Sequence, residues 1–397
     1  MIPIRYFPSK IFIYSCIICL ISINLNLPAA SSAIFNQSYN IIQAHLQNPA
    51  AVYAPISTSS TQTSSFGSSN FILDYGPGLT NGSGLTTLAK NAFDMAANRW
   101  SSYLNDPVTI KLTVDYKALA PNILGQTSTS LLSGGYNTVR NMVSNNAGET
   151  NNAMENALLP YLPDSSQFSA WLPSGFFMNG YSLLSQANYH ALGGTDINFN
   201  GSDGSITFSS GFSWDFDPSD GISAGTYDFV GVAMHEIGHA LGFISEVDFV
   251  DGLWNAGLSS DSISPTTLDL FRFKTEDLDL YEFNFTETSR MLTPGDEQAL
   301  YFGDEIALLS TGLYNGDGRQ ASHFKDNLGL GLLDPTAAAG ELLAVSAYDL
   351  AALDLIGWEI SSVPIPGAIW LFGSALIGLA GIRNKGKNLI NWKQTTV

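Results

Sequence analysis

Residues 232–248 read VAMHEIGHALGFISEVD, and no other stretch constrains the chain as strongly. It holds two histidines four apart, with a glutamate directly after the first. Positions i and i+4 share one face of a helix, so His235 and His239 can aim their imidazoles at one point. The flanking Val232, Ala233, Ile237, Ala240 and Leu241 are apolar, so this helix must be buried. Surface chemistry explains a buried histidine pair poorly. A metal ion explains it well, with zinc held at about 2.0–2.1 Å from each nitrogen. Glu236 is offset around the helix, near the metal without having to bind it. There it can take a proton from water activated by zinc and pass it to a leaving amine.

A catalytic zinc takes three protein ligands, and this stretch supplies two. Gly242 is followed by Phe243, Ile244 and Ser245, and serine is a poor zinc ligand. Glu246 and Asp248 are close in sequence and a carboxylate can bind zinc, provided the helix stops at Gly242 and the chain turns back. Three other histidines exist, His45, His190 and His323. His45 belongs to an N-terminal tail, and His190, in QANYHALGG, reads as the end of an ordinary helix. His323 stands in ASHFKDNLGLGLLDPTAAAG, 84 residues beyond His239.

The two ends bear on where such a site would work. Arg5 and Lys10 precede the apolar run IFIYSCIICLISI and then NLPAASSA, the pattern of an export signal cleaved near Ala30 or Ala33. Both cysteines, Cys16 and Cys19, lie inside it, so the mature chain would have neither a disulfide nor a thiolate ligand. Near the C-terminus, Pro366 to Ile382 is uncharged and long enough to cross a bilayer, and Arg383, Lys385 and Lys387 follow. The positive-inside tendency puts these in the cytoplasm and the main domain outside. The expected order is a signal peptide at 1–33, a Ser/Thr-rich linker or propeptide at 34–70 and a catalytic domain at 71–362. A membrane helix with its basic flank follows at 363–387, then a tail at 388–397.

Charge excludes one class of function. The six basic residues at the ends are set aside, leaving 10 of 16 against 35 acidic residues, a net charge of −25 for the outer part. Nucleic-acid binding through a basic patch is excluded on this balance. Acidic turns at 198–205 and 314–319 are candidates for calcium, with ordinary turn chemistry as the competing reading, since neither has the full spacing of a calcium loop.

Periodicity along the chain predicts an α+β fold. FILDYG (71–76) reads as a strand. Residues 84–106 follow as a helix with Leu85, Leu88, Ala92, Phe93, Ala96, Ala97, Trp100 and Leu104 on one face. Val108, Ile110, Leu112 and Val114 alternate as a half-buried strand does. A helix is expected over 136–159, strands at 195–200 and 205–210, then the HExxH helix. Residues 249–320 are less regular and strand-rich, and 344–360 have a helical pattern that packs beneath the site.

HEIGHALGF together with SHF and LLDPTAAAG is similar to the leishmanolysin-like metzincins, a family of zinc proteases. There HExxHxxGF is followed tens of residues later by a histidine in Ser-His-Trp, then by a turn carrying Met and Pro. The resemblance implies a metzincin-like fold: a mixed twisted sheet, the HExxH helix and a mostly helical C-terminal part. It also implies His323 as the third zinc ligand, in Ser322-His323-Phe324. Leu333 stands where the family has methionine, an apolar floor that leucine can also form. Tyr348 follows the turn, where some metzincins use a tyrosine on the oxyanion; a tyrosine packed on a helix is the competing reading. The segment from Val363 resembles PEP-CTERM sorting signals in the Val-Pro form, which implies an exosortase as partner and the envelope of a Gram-negative bacterium as location. The expectation is thus a zinc metalloendopeptidase acting on protein or peptide substrates, with Glu236 as general base. Open beside it are a surface structural or adhesive protein on a weakly active scaffold, and a zinc hydrolase of non-peptide substrate.

Overall fold

The computed structural model describes residues 15–23, 62–65, 69–80, 82–147, 153–194, 201–278 and 283–361. Its centre is an eight-stranded mixed sheet. The strands used below are β1 (Ser15–Ile23), β2 (Gln62–Ser65), β3 (Asn70–Tyr75), β4 (Thr109–Lys117), β5 (Ile123–Gly135), β6 (Tyr181–Ser185) and β7 (Gly204–Ser209). Beyond them come β8 (Arg272–Lys274), β9 (Gln298–Tyr301), β10 (Ile306–Leu309) and β11 (Thr336–Ala337). The helices are α1 (Gly84–Tyr103), α2 (Tyr136–Asn146), α3 (Ala153–Leu158), α4 (Gln186–Ala191), α5 (Phe229–Leu241), α6 (Val247–Asn255) and α7 (Ala347–Leu355).

Across the main sheet the order is β11-β1-β5-β7-β4-β3-β2, with β6 also paired to β5. β3, β4 and β7 run parallel; β5 is antiparallel to β7. α1 begins at an N-cap, Ser83, whose hydroxyl accepts from Thr86 N. Its buried stripe is Ala89, Ala92, Phe93, Ala96, Ala97 and Trp100, but Leu85 and Leu88 are about half exposed. The expected apolar face therefore holds from the second turn on, and Thr86 faces inward in the first turn in place of the two leucines. α1 and α5 pack together, and the Trp100 indole N–H donates to the Met234 carbonyl at 2.8 Å.

Several expectations change. The helix expected over 136–159 is two, α2 and α3. Residues 249–320 open with α6 and then form the antiparallel sheet β8-β9-β10. Residues 195–200 and 363–397, and with them the C-terminal membrane helix, lie outside the described residues; among the described residues no helix is long and apolar enough to cross a membrane. The sheet begins before Phe71, because β2, inside the low-complexity stretch, pairs antiparallel with β3. Part of the apolar N-terminal run is β1, antiparallel to β5 and parallel to β11.

β5 escaped the sequence reading. Its run ILGQTSTSLLSGG lacks the large apolar alternation that marks a strand, yet Thr127 and Thr129 are its inward residues and are fully buried. Their hydroxyls meet helix carbonyls: Thr127 Oγ1 donates to Glu236 O at 3.0 Å and Thr129 Oγ1 to His239 O at 3.3 Å. Hydroxyls in place of methyls let a strand lie against the backbone of α5.

Candidate metal centre

α5 is built to be buried. All thirteen of its residues are buried, and Asp228 caps it by accepting from Gly231 N at 2.8 Å. It ends at Gly242, whose φ of 121° belongs to the left-handed region that glycine tolerates. That turn carries Phe243 N back to the Gly238 carbonyl at 3.1 Å and swings the Phe243 carbonyl to His239 Nδ1, 2.8 Å away. The sequence feature that stops the helix thus also orients the second histidine.

His235, His239 and His323 come together, with one ligand atom from each lying within 4.8 Å of the others, close enough to bind a metal ion. His235 Nδ1 faces the Leu332 carbonyl at 2.7 Å, and His323 Nδ1 faces the Gln320 carbonyl at 3.2 Å. A carbonyl oxygen only accepts, so each Nδ1 carries the ring proton and each Nε2 presents a lone pair. His235 Nε2 stands 2.9 Å from His239 Nε2 and 3.2 Å from His323 Nε2. These are not hydrogen bonds, since no proton is left between them. They are spacings between ligands, near the roughly 3.3 Å that tetrahedral zinc with 2.0–2.1 Å bonds requires. Burial holds all three imidazoles below their ordinary range, His239 at about 4 and the others in the same direction, so all three are neutral. Three converging lone pairs in a dry pocket repel one another unless a cation sits among them. The residues fit a metal.

Glu236 lies between the two helix histidines in sequence, and its buried carboxylate faces β5. Its Oε2 accepts from Thr127 Oγ1 at 2.6 Å, while Oε1 is buried and accepts no hydrogen bond among the described residues. Burial raises this carboxyl to about 8 in the metal-free site, with the Thr127 hydroxyl pulling the other way, and a cation held by the three histidines would lower it towards the ionised form a base needs. Gly125 gives it room: a Cβ there would stand 2.8 Å from Glu236 Oε1. Thr127 and Gly125 are site residues that the sequence reading missed. Their one signal is a Gly-x-Thr spacing on a strand, common and uninformative until the strand is seen beside Glu236.

Below α5 lies the turn containing Leu333. Leu333 is fully buried, and its Cδ2 would be 2.9 Å from a Cβ on Gly238, one turn of helix between the histidines. Asp349, at the start of α7, accepts from Leu332 N at 2.8 Å and Leu333 N at 3.0 Å, holding the turn in place. Gly238 and Leu333 are thus a matched pair, one small because the other is close.

Among the described residues the other candidates stand outside the histidine group. Asp248 is outside the histidine group; its carboxylate accepts from Ala321 N at 2.6 Å and Ser322 N at 3.0 Å, and from the Ser322 hydroxyl. Ser245 Oγ donates to Asp269 at 2.6 Å. Glu246 is buried beside Asp269, and burial, then that charge, push its carboxyl well above the usual range. His190 Nδ1 binds the Gly194 carbonyl at 2.9 Å, with Nε2 4.0 Å from Asp203, and is not part of the histidine group. His45 lies outside the described residues. Tyr348 packs on Phe302 and Phe324, 5.8 and 6.5 Å between ring centres, which is the packing reading. In the turn at 314–319, the acidic oxygens already accept backbone donors: Asp251 takes Tyr314 N and Asn315 N, and Asp317 takes Thr311 N. These are the hydrogen bonds of ordinary turn chemistry. The turn at 198–205 is only partly described; within it Asp203 accepts from Lys111 N at 2.7 Å.

Comparison with protein-family models, curated proteins and solved structures gives no match.

Proposed function

We propose that this chain is an exported zinc endopeptidase in which Glu236 is the general base. One observation carries the reading: three buried imidazoles present unprotonated Nε2 atoms to one point, with every Nδ1 proton committed to a backbone carbonyl. His235, His239 and His323 would hold the zinc. When bound, zinc supplies Lewis acidity that lowers the pKa of water towards about 7 and polarises a carbonyl. Glu236 takes the proton from water on Oε1, the oxygen that no neighbour occupies, and delivers it to the leaving amine nitrogen. Thr127 fixes the carboxylate by its other oxygen. The resemblance to leishmanolysin-like metzincins supports the peptidase assignment, and the Leu333 turn under α5 agrees with it. Export by the N-terminal segment, sorting by an exosortase and residence in the cell envelope of a Gram-negative bacterium belong to the same proposal.

The test compares the full chain with Glu236→Gln and His323→Ala for zinc content and casein hydrolysis. Glu236→Gln should keep its zinc and lose about 10²–10⁴-fold in rate. Hydrolysis surviving in that variant sinks the mechanism, and full zinc content in His323→Ala sinks the third ligand.

A further inference from the structure

The third histidine arrives from a distant loop, so something must set its position to within a few tenths of an ångström. On its C-terminal side the loop is held by backbone pairing. Ser310 N donates to the His323 carbonyl at 3.0 Å and Phe324 N to the Leu333 carbonyl at 2.9 Å. On its N-terminal side backbone pairing reaches Arg319, whose carbonyl accepts from Gly312 N at 3.1 Å. There Asp248, in the first turn of α6, accepts from three donors of the loop: Ala321 N, Ser322 N and Ser322 Oγ. A carboxylate at this place in a helix could serve its own helix N-terminus; here its oxygens reach across 74 residues of sequence instead.

The surrounding groups tie this contact to the end of α5. Ser322 Oγ, while donating to Asp248, accepts from Ser245 N at 2.9 Å. The Ala321 carbonyl accepts from Arg272 Nη2 at 2.5 Å, so both polar groups of Ala321 are held. Arg272 Nε is 3.3 Å from Asp269 Oδ1, and the same carboxylate accepts from Ser245 Oγ and, through Oδ2, from Glu246 N. Residues 245–248 leave α5 directly after the His239 turn. They form a bracket to which the His323 loop is bound.

From this geometry we infer that Asp248 is the positioning residue of the third ligand: it does not touch the metal, and it sets where His323 Nε2 stands against His235 and His239. The inference rests on the three-histidine site of the proposed function and not on the bond which that site cuts. It also explains Ser245. The position that cannot supply a ligand supplies the N–H that holds the ligand's neighbour.

Zinc affinity, measured on the full chain by competition with a chromophoric chelator, tests it. An asparagine at 248 keeps one acceptor oxygen and turns an amide N–H₂ towards donors, so Asp248→Asn should bind zinc about 10–100-fold more weakly. In a His323→Ala background the same change should alter affinity less than about threefold, because both act through one ligand. Ser322→Ala, a milder change that leaves Asp248 two backbone donors, should lose about tenfold in affinity with the same dependence on His323. Urea unfolding of the metal-free proteins separates this from general destabilisation. Wild-type affinity in both variants overturns the inference, whatever their stability, as does an equal loss with and without His323. A wild-type chain that takes up no zinc overturns the metal site itself.

Discussion

Gly125 lacks a side chain where Glu236 needs the space. A methyl group there would stand 2.8 Å from Oε1, inside contact distance, on a backbone that needs no unusual φ. Gly125→Ala should therefore displace the carboxylate and leave the fold alone. The expected result is a loss of about 10²-fold in kcat with unchanged zinc content and urea midpoint, as misplacement of a catalytic group by about 1 Å produces. Thr127→Val is the complementary change. It keeps the shape, removes the donor to Oε2 and should lower kcat by about tenfold, one buried hydrogen bond's worth. Leu333→Met should be close to neutral: the two side chains have similar volume, and such swaps cost less than about 1.5 kcal/mol, readable as a small change in the urea midpoint.

α5 is a whole element held at its middle and at its C-terminal end by tryptophans. Trp100 donates to the Met234 carbonyl at 2.8 Å, and Trp358 donates to the Leu241 carbonyl at 2.9 Å. Both indoles are fully buried. Trp358→Ala should cost about 3–5 kcal/mol, the usual range for emptying such a volume in a core, measured by urea unfolding of the metal-free chain. Much of α5's surroundings was legible beforehand, since the stripe of α1 and the terminator Gly242 are local patterns. β5 was not legible, because its inward residues are threonines that match helix carbonyls. Neither was α6, whose nine residues follow the Gly242 turn after a short gap and have their meaning in a loop some 70 residues away.

At the scale of the whole molecule, the site joins α5 to a loop 84 residues further along the chain. A metal ion held there would therefore stabilise the assembled fold. At a free concentration about 1,000-fold above Kd, the linkage is about 4 kcal/mol. Removing zinc with a chelator should lower the melting temperature by on the order of 10 °C, and restoring zinc should recover it, as seen by calorimetry. β1 raises a second question of assembly. It lies between β5 and β11 and packs beside α5. A chain beginning after residue 33 lacks this strand and should have a lower urea midpoint than the uncleaved chain; equal midpoints would show that β1 does not support the sheet.

The sequence by itself determined the two helix histidines, their glutamate, the stop at Gly242 and the burial of the helix, because each follows from i, i+4 spacing or from one residue's φ. It also offered His323, but only through a resemblance, with Asp248 still open as a rival. Only the tertiary structure decided between them. Asp248 and His323 are both near the metal region, and what separates their roles is direction: one carboxylate turned to Ala321 and Ser322, one imidazole turned to His235. Thr127 and Gly125 waited on the structure for the same reason. Spacing along a chain records which residues share a face, while the lone pairs and empty volumes of a site depend on which faces meet.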